Sequence, residues 1–403
     1  MFNVQRYKNS SRTTNKPQCS CIPAPAPSPL HLFICSSSST TITCDMAFKT
    51  LITLASLATA VFAAPSPLVS CGGGRSVQNA ACCAWFPVLD DIQANLFSGA
   101  QCMEEAHEAI RLTFHDAIGF SMALTQEGKF GGGGADGSIL AFSDIETSFA
   151  ANFGLDFTTE AFIPFAVAHQ VSFGDFVQFA GAVGASNCLG GPRLQFLAGR
   201  PNNSQPSPDG LVPEPTDSAD KIFARMQDAG FSPTELVHLL SAHSVAAQYE
   251  VDTDVAGSPF DSTPSSFDTQ FFVESLLKGT AFVGNGQGGE SMSPIPGEFR
   301  LSSDLVISRD QRAACEWQSL VNDHQTMVNN FEAAMMKMAT LGQTVSELVD
   351  CSDVIPVPAS AKFTATFPPS KSINDVDSAC SSFPFPSLGT QPGPVTSVLP
   401  ITA

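Results

Sequence analysis

One predicted helix, residues 102–116, carries charged and titratable side chains at helical spacing. Glu104, Glu108, Arg111 and His115 follow at intervals of four, three and four residues, so they form one stripe along a single helix face. Such a stripe is common on a solvated face, where neighbouring charges form ion pairs. The alternative is a base and a cation held together for chemistry, and the motif Arg-x-x-Phe-His-Asp at the end of the stripe favours it.

Cleavage of a peroxide bond needs the two kinds of group that end this stripe. A base must take a proton from the near oxygen and return it to the far one, and a fixed positive charge must stabilise the departing hydroxide. A neutral imidazole suits the first role, and a guanidinium, which is always charged, suits the second. We therefore assign His115 as the acid/base group and Arg111 as the charge stabiliser.

A second histidine, His243, lies near the end of a helix predicted over residues 233–248. The helix begins at a capping box, Ser-Pro-Thr-Glu, with proline at its first helical position. A lone histidine on an apolar helix is usually a core residue, but next to a base and a cation it is a candidate axial ligand for haem iron. Asp304 is a candidate partner for the other ring nitrogen, which would make the ligand more electron-donating.

Two oxygen-rich sets of residues suit a hard cation such as calcium. Loops of this composition are often ordinary turns, yet each set lies next to one of the two histidines. The first set is Asp116, Gly134, Asp136 and Ser138. The second set is Ser244, Asp261, Thr263, Ser266 and Asp268. We expect one calcium ion at each, anchoring the helices on either side of the haem.

The composition of the chain restricts which partners it can bind. The chain has 403 residues, 43% of them hydrophobic, and a formal net charge of −19. The apolar content supports a substantial core, and the acidic surface would be repelled by nucleic acid and by anionic membranes. We therefore expect neither partner, and no segment beyond the N-terminal region is long and apolar enough to cross a bilayer.

The N-terminal region predicts secretion. Met46, Lys49, an apolar run over residues 51–62 and a small-residue cleavage site form a signal peptide. Residues 1–45, rich in Ser, Thr and Pro, are interpreted as an over-extended start that the mature protein lacks; the alternative is an unusual leader. We expect an extracellular protein, and Asn202-Asn203-Ser204 is a glycosylation acceptor in a polar loop.

Cysteine usage agrees with secretion. Four of the 12 cysteines lie in residues 1–45, and an even set of eight follows. An even set behind a secretion signal indicates disulfides. Zinc is the weaker interpretation, because no C-x-x-C pair occurs among the eight.

Helices position these groups. Apolar residues recur at helical spacing in six segments, and no long strand is visible. The segments are residues 76–97, 102–116, 162–184, 233–248, 267–277 and 309–338. Gly- and Pro-rich connections join them, and residues after 350 form a wrapped tail.

The chain resembles the secreted class II haem peroxidases of wood-rotting fungi, which include lignin, manganese and versatile peroxidases. The resemblance covers about residues 69–399 and rests on motifs that occur in family order. They are Arg-x-x-Phe-His-Asp, Gly-Gly-Ala-Asp-Gly-Ser, Ala-His-Ser-Val-Ala, Pro-Phe-Asp-Ser-Thr-Pro and Ala-Cys-Glu-Trp-Gln-Ser. It implies an all-α haem peroxidase fold, with haem b between a distal half (residues 69–212) and a proximal half (213–350), followed by the tail (351–403). It also places the mature start near Val69, so residues 46–68 are signal peptide and propeptide.

The resemblance implies further roles. Asn152 orients His115, His243 binds the iron with Asp304 behind it, and the two calcium sets match the family's ligands. Phe114 and Phe260 are assigned as haem contacts. The implied disulfides are Cys71 with Cys83, Cys82 with Cys351, Cys102 with Cys188, and Cys315 with Cys380.

Two departures from the family pattern concern how electrons pass from donors to the haem. His238 stands where lignin and versatile peroxidases have a surface tryptophan relay, and imidazole is far harder to oxidise, so that route is closed. Glu104 and Glu108 match two manganese ligands of manganese peroxidases, but Tyr249 stands where the third ligand, an aspartate, belongs. A neutral phenol is a poor ligand, so we expect weak Mn(II) binding unless Glu250 takes part. The alternative for the glutamates is a surface acid pair.

Tyr249 suggests a positive hypothesis, because it lies six residues beyond the proposed iron ligand. We predict that it relays electrons from bulky aromatic donors, with Glu104, Glu108 or Glu250 accepting its proton; the alternative is an ordinary exposed tyrosine. The predicted protein is a monomeric, lignin-peroxidase-like enzyme that uses hydrogen peroxide to oxidise aromatic compounds. The alternatives are a manganese-assisted or generic haem-edge peroxidase and a secreted haem- and calcium-binding protein without turnover.

Overall fold

The computed structural model of the protein describes residues 68–377 and 380–401. The predicted leader, signal peptide and most of the propeptide lie outside the described residues, as does the residue pair 378–379. The described residues belong to one compact unit, Ala64–Ala403. The division into distal half, proximal half and tail stays a prediction.

Helices dominate this part of the chain. Thirteen α-helices lie within the described ranges. They are α1 (Trp85–Asp91), α2 (Glu104–Ala117), α3 (Met122–Gln126), α4 (Ser138–Ala141), α5 (Ser143–Glu146), α6 (Leu155–His169), α7 (Phe173–Asn187), α8 (Ala219–Asp228), α9 (Pro233–Leu239), α10 (Gln270–Glu274), α11 (Ser302–Arg309), α12 (Ala314–Leu320) and α13 (His324–Ala339).

The strands are two to four residues long and pair only as two-stranded ribbons within the described ranges. They are β1 (Val69–Gly72), β2 (Arg75–Val77), β3 (Leu197–Ala198), β4 (Ala247–Gln248), β5 (Ser258–Pro259), β6 (Glu290–Ser291), β7 (Arg300–Leu301), β8 (Val349–Asp350), β9 (Thr366–Phe367) and β10 (Gly389–Thr390). The pairs are β1 with β2, β3 with β8, β4 with β5, β6 with β7, and β9 with β10. The predicted all-α fold is confirmed.

Close packing of α2 against α7 fixes the helix that carries the charged stripe. A Cβ atom on Gly181 would lie 2.2 Å from Cγ2 of Thr113, and one on Gly184 would lie 2.9 Å from the carbonyl oxygen of Ala106. Only glycine lets the two helices approach this closely. The helix α13 packs against α9 and supports the segment that leads to His243.

Several predicted helices are interrupted or shorter than expected. The segment 76–97 begins in β2 and becomes α-helical only at α1, the segment 267–277 holds only α10, and the segment 309–338 is divided between α12 and α13. The segment 162–184 is divided between α6 and α7, because Gln170 adopts the left-handed conformation with φ of 55° and Ser172 caps the next helix by accepting from the Asp175 N–H. The segment 233–248 starts at the expected capping box. Its α-helix ends at Leu239, and the chain continues as a tighter 3₁₀ turn, Leu240–Val245, before β4.

The four implied disulfides are confirmed. They join Cys71 to Cys83, Cys82 to Cys351, Cys102 to Cys188, and Cys315 to Cys380. Two of them attach the region after residue 350 to the body. Within residues 68–377 and 380–401, every helix is too short or too polar to cross a membrane.

Candidate active site

A cavity of about 600 Å³ separates α2 from the chain that follows α9. His115, Arg111 and Phe114 line one wall, and His243 and Phe260 line the other. The volume lies within the range of natural cofactor pockets. The structure therefore brings together the two histidines that were singled out in distant parts of the sequence.

Hydrogen bonds fix the tautomer of His115. Asn152 donates from Nδ2 to the carbonyl oxygen of Glu146 at 2.9 Å, so its Oδ1 faces Nδ1 of His115, 2.8 Å away. An amide oxygen can only accept, so the imidazole proton resides on Nδ1 and the Nε2 lone pair is free. Loss of solvation and the nearby Arg111 charge lower the pKa of His115 to about 3, which keeps the ring neutral and able to accept a proton.

Arg111 is held at the cavity wall by two acceptors. Its guanidinium contacts the Glu108 carboxylate at 3.1 Å and donates to the carbonyl oxygen of Phe153 at 3.2 Å. Glu108 also accepts from the Thr158 hydroxyl at 3.1 Å. The carboxylate of Glu108 is thus engaged by neighbours, while burial and the adjacent Glu105 and Glu108 charges raise the pKa of Glu104.

The opposite histidine is paired with a carboxylate. Nδ1 of His243 lies 2.9 Å from Oδ2 of Asp304, which is 2% exposed in the first turn of α11. This contact leaves Nε2 of His243 as the free ring nitrogen. Rings of Phe260 and Phe271 pack against the imidazole with centroid separations of 5.0 and 5.6 Å. A rigid imidazole with a carboxylate behind it is the donor set that metal-binding histidines use.

Tyr249 is half-buried in the wall of the same cavity. Its hydroxyl has no hydrogen-bond partner among the described residues. Burial, with the charges of Glu104 and Glu108, raises the pKa of Tyr249 well above its usual value. The phenol is therefore neutral and lies in a negative potential.

Neither tryptophan offers a surface site for oxidation. Trp317 is fully buried and Trp85 is 5% exposed. Nε1 of Trp317 donates to the Ser275 hydroxyl at 2.9 Å. His238, which occupies the family's relay position, is half-buried, and its Nε2 lies 2.7 Å from Glu316.

The first proposed calcium set surrounds the C-terminal end of α2. Asp116 is fully buried, and its carboxylate accepts from the backbone N–H of Gly137 at 3.0 Å. Burial and the nearby Asp136 charge raise the pKa of Asp116. Gly134 and Ser138 lie two residues before and after Asp136 in the sequence, with Gly134 in a left-handed turn at φ of 72°.

The second proposed set surrounds the residue after His243. Asp261 is fully buried, and its Oδ2 has no partner within the described part of the chain. Burial raises the pKa of Asp261 well above its usual value and that of Asp268 to about 6. Ser244 and Asp268 are buried too, and Thr263 donates to Oδ1 of Asp268 at 3.1 Å. Ser266 completes the set. Two buried acids, one with a free oxygen, form a cluster that a cation would stabilise.

The structure shows several contacts at the site that the sequence did not predict. Phe271 packs on His243, and Glu146 fixes Asn152 through its carbonyl oxygen. His107 also lines the cavity. Only His107 had a signal in the sequence, because it lies four residues before Arg111 and therefore on the same side of α2.

These features define a protein in which a base and a cation face a carboxylate-paired histidine across one cavity. Residues 88–323 match the family model described as Peroxidase, and residues 326–403 match the fungal peroxidase extension region. The chain belongs to the peroxidase family.

Similar proteins align over most of the chain. A versatile peroxidase of Pleurotus eryngii is 56% identical over 336 residues, which are 83% of this chain and 91% of that protein. Ligninase B of Phanerodontia chrysosporium is 53% identical over 364 residues, 88% of this chain and 98% of its own. A peroxidase of Arthromyces ramosus is 51% identical over 333 residues, 82% of this chain and 92% of its own.

Family membership implies a haem cofactor, and the residues present fit one. The cavity has the size of a cofactor pocket and holds two imidazoles whose Nδ1 atoms are both committed to oxygen partners. Oδ1 of Asp304 is buried and has no partner in the described ranges. The negative charge of this carboxylate can therefore stabilise the added positive charge of a metal-bound imidazole.

Proposed function

We propose that the protein is a secreted, lignin-peroxidase-like enzyme that uses hydrogen peroxide to take single electrons from aromatic compounds. The observation that carries the proposal is the free Nε2 of His115, held beside Arg111 and across the cavity from His243. The similarity to ligninase B over most of both chains supports lignin-type donors.

The chemistry supplied by a bound haem is the storage of two oxidising equivalents and their release in one-electron steps. His243 would hold the iron through Nε2, and Asp304 would keep the proton at Nδ1 and make the ring more electron-donating. Phe114 and Phe260, one on each wall, would contact the haem.

His115 and Arg111 handle the proton and the charge. Nε2 of His115 takes the proton from the near oxygen of the peroxide and returns it to the far oxygen, which leaves as water. Arg111 stabilises the negative charge that develops on the departing oxygen. Asn152 holds the His115 proton on Nδ1, so that Nε2 is always the accepting atom. Overall, one peroxide takes two electrons from two donor molecules and two protons from the donors or the solvent, and the products are two waters and two one-electron-oxidised donors.

Calcium would occupy the two acidic clusters. The first joins the end of α2, which carries His115, to the loop around Asp136. The second joins the turn after His243 to the loop around Asp261 and Asp268. Each cation would offset buried negative charge and hold one histidine segment in place.

Tyr249 is the proposed relay for donors too large to enter the cavity. Both tryptophans are buried and His238 is hard to oxidise, whereas Tyr249 joins the cavity wall to the region of Glu104 and Glu108. Negative charge nearby favours loss of an electron from the ring, and the phenol proton must then move to an acceptor. Because Glu108 is engaged by Arg111, Glu104 is the better candidate acceptor.

The test compares two donors on the wild type and on Tyr249→Phe. Phenylalanine keeps the ring but cannot lose a proton, so we expect oxidation of a bulky non-phenolic aromatic alcohol to fall at least tenfold. Oxidation of a small dye at the cavity should be unchanged. Equal rates of both donors in both proteins would exclude the relay without affecting the peroxide chemistry.

A manganese-assisted peroxidase is the second candidate function. It is favoured by the acidic N-terminus of α2, where Glu104 and Glu108 lie near Tyr249, and by the similarity to a versatile peroxidase. A rate that depends mainly on Mn(II), and is lost in Glu104→Gln, would support it over direct oxidation.

We also propose that the enzyme is extracellular and monomeric. The disulfides suit an oxidising compartment. Asn202 is exposed, and its Oδ1 accepts from the backbone N–H of Phe173 at 3.0 Å, which leaves the amide nitrogen accessible for a glycan. A glycan removable by an endoglycosidase and a single species of monomer mass would support this.

A further inference from the structure

A glycine-rich loop, residues 283–289, forms part of the opening of the cavity. Gly288, Ala150, Phe153 and Thr216 all line the cavity and are exposed to solvent. These four residues therefore lie where a small donor would enter. The loop has the sequence Val-Gly-Asn-Gly-Gln-Gly-Gly, so it presents little side-chain bulk at this opening.

The glycines make this loop costly to order. Gly288 and Gly289 have φ of 64° and 102°, values that glycine adopts without the steric cost that other residues carry. Glycine also loses more conformational freedom on folding than any other residue. A loop with four glycines in seven residues therefore needs contacts with the body of the protein to keep one shape.

A buried carboxylate, that of Glu290, supplies three such contacts. Glu290 is 6% exposed. Its Oε1 accepts from the backbone N–H groups of Val283 and Gly284, both at 2.8 Å. Its Oε2 accepts from the backbone N–H of Gly286 at 2.6 Å. Both oxygens of the carboxylate are therefore used, and hydrogen bonds to an ionised acceptor are roughly twice as strong as those between neutral groups.

A second carboxylate, that of Asp252, holds the remaining amide of this stretch. Asp252 is also 6% exposed, and its Oδ2 accepts from the backbone N–H of Asn285 at 2.9 Å. A Cβ atom on Gly284 would lie 2.2 Å from this oxygen, so the close approach requires glycine. The four successive amides of residues 283–286 thus all donate to carboxylate oxygens.

The anchored loop is joined to two parts of the cavity wall. The carbonyl oxygen of Gly289 accepts from the backbone N–H of Ser302 at 2.6 Å, and Ser302 begins α11, which carries Asp304. The backbone N–H of Asp252 donates to Oε1 of Gln248 at 2.9 Å, and Gln248 lines the cavity. The shape of the opening is therefore tied to the framework that surrounds the proposed haem site.

We propose that Glu290 is a positioning residue that holds the opening of the cavity in the shape that admits small aromatic donors. This inference rests on the proposed function, because it concerns donors that reach the haem edge directly and not those oxidised through Tyr249. Glu290 lies outside the cavity lining and acts through the backbone of residues 283–286. It therefore affects access of the donor and not the reaction with peroxide.

The first measurement is hydrogen exchange of the holoenzyme, read by mass spectrometry on peptides that contain residues 283–290. Glu290→Gln keeps the size of the side chain but has one acceptor oxygen, so its NH₂ group must face at least one backbone N–H. We expect exchange at residues 283–286 to become roughly 10- to 100-fold faster, as for loss of a hydrogen bond to a charged group. Glu347→Gln is the matched control, because Glu347 is exposed and lies outside the cavity lining. Exchange of the loop in this control should equal that of the wild type.

The second measurement separates access from chemistry by comparing a small dye, oxidised at the cavity, with a bulky aromatic alcohol. A binding site that is ordered in only a fraction of the molecules lowers the apparent affinity by that fraction. We therefore expect the KM of Glu290→Gln for the dye to rise roughly three- to tenfold with kcat nearly unchanged. The rate of reaction with peroxide and the oxidation of the bulky alcohol should stay at wild-type values, whereas general destabilisation would lower all of them together.

Asp252→Asn is the second variant, and it keeps the test available if Glu290→Gln fails to fold. The carboxylate of Asp252 accepts from the backbone N–H groups of Asn285 and Asp254, and asparagine has an oxygen for only one of them. Exchange at residues 283–286 and the KM for the dye should therefore change in the same direction as in Glu290→Gln.

Three results would overturn the proposal: unchanged exchange at residues 283–286 in Glu290→Gln, an unchanged KM for the dye, or an equal loss of activity with both donors. In each case a wild type that oxidises the dye with peroxide leaves the proposed function intact. A wild type that oxidises neither donor would instead refute the proposed function, and this inference with it.

Discussion

The hydrogen bond between Asn152 and His115 makes a quantitative prediction about the peroxide step. Asn152→Ala removes the acceptor at 2.8 Å that keeps the His115 proton on Nδ1. In the transition state the imidazole gains a proton, so the lost partner is a hydrogen bond to a charged group, about 1.5–3 kcal/mol. We therefore expect the rate of reaction with peroxide to fall roughly 10- to 100-fold, since about 1.4 kcal/mol corresponds to a factor of ten.

Stopped-flow measurement of the haem spectrum after mixing with peroxide isolates this step, because no donor is present. Asn95→Ala is the control, since Asn95 is exposed and its side chain donates to Asp91 at 2.7 Å, at the surface. The pKa of His115 lies at about 3, so the wild-type rate should be flat near neutral pH and decline only in strong acid. A rate for Asn152→Ala within twofold of the wild type would refute the assignment of Asn152.

Three further predictions concern the parts that support the chemistry. Asp304→Asn replaces an anionic partner of His243 by a neutral one, so the reduction potential of the bound iron should rise in a spectroelectrochemical titration, and an unchanged potential would contradict the proximal assignment. Burial raises the pKa of Asp268 from 3.8 to about 6 in the metal-free protein, so the folded carboxyl holds its proton more tightly than the unfolded one, and stability is lost as pH rises through this window. Chelation of calcium should therefore lower the Tm more at pH 7 than at pH 5, and equal shifts would argue against a cation at Asp268. Replacing Cys315 and Cys380 together by serine opens a loop of 65 residues and should cost about 2–5 kcal/mol in denaturant titrations, with an unchanged midpoint as the contrary result.

Local patterns in the sequence located the helices that matter but not all of their ends. The start of α9 was predictable because Ser232, Pro233 and Glu235 form a cap from adjacent residues. The left-handed turn at Gln170 was not, since glutamine carries no preference for that conformation and the break depends on how α6 and α7 pack. The early end of α9 at Leu239 likewise follows from the ribbon that β4 forms with β5, a contact between distant segments.

At the site, too, features set by neighbouring residues were predictable and contacts between distant segments were not. The stripe on α2 was visible because helical periodicity brings Glu108, Arg111 and His115 together whatever the tertiary fold. The pairing of His243 with Asp304 joins residues 61 positions apart, and spacing alone could not establish it. His107 lies on the same helix as the predicted groups, but its contact with the Cys102–Cys188 disulfide is visible only in the folded chain.

The 3₁₀ turn after α9 has a consequence for the iron-side histidine. A straight continuation of α9 would rotate His243 by 100° per residue, whereas the tighter turn advances it by about 120°. Over the four residues from Leu239 to His243 these differences sum to roughly 80°, enough to turn a side chain from one face of the helix toward another. The capping box fixes where α9 begins, and the 3₁₀ segment carries His243, which lines the cavity and contacts Asp304. The direction of the ring is therefore set by backbone geometry as well as by its carboxylate partner, and for this reason Asp304→Asn should alter the electronic character of His243 more than its position.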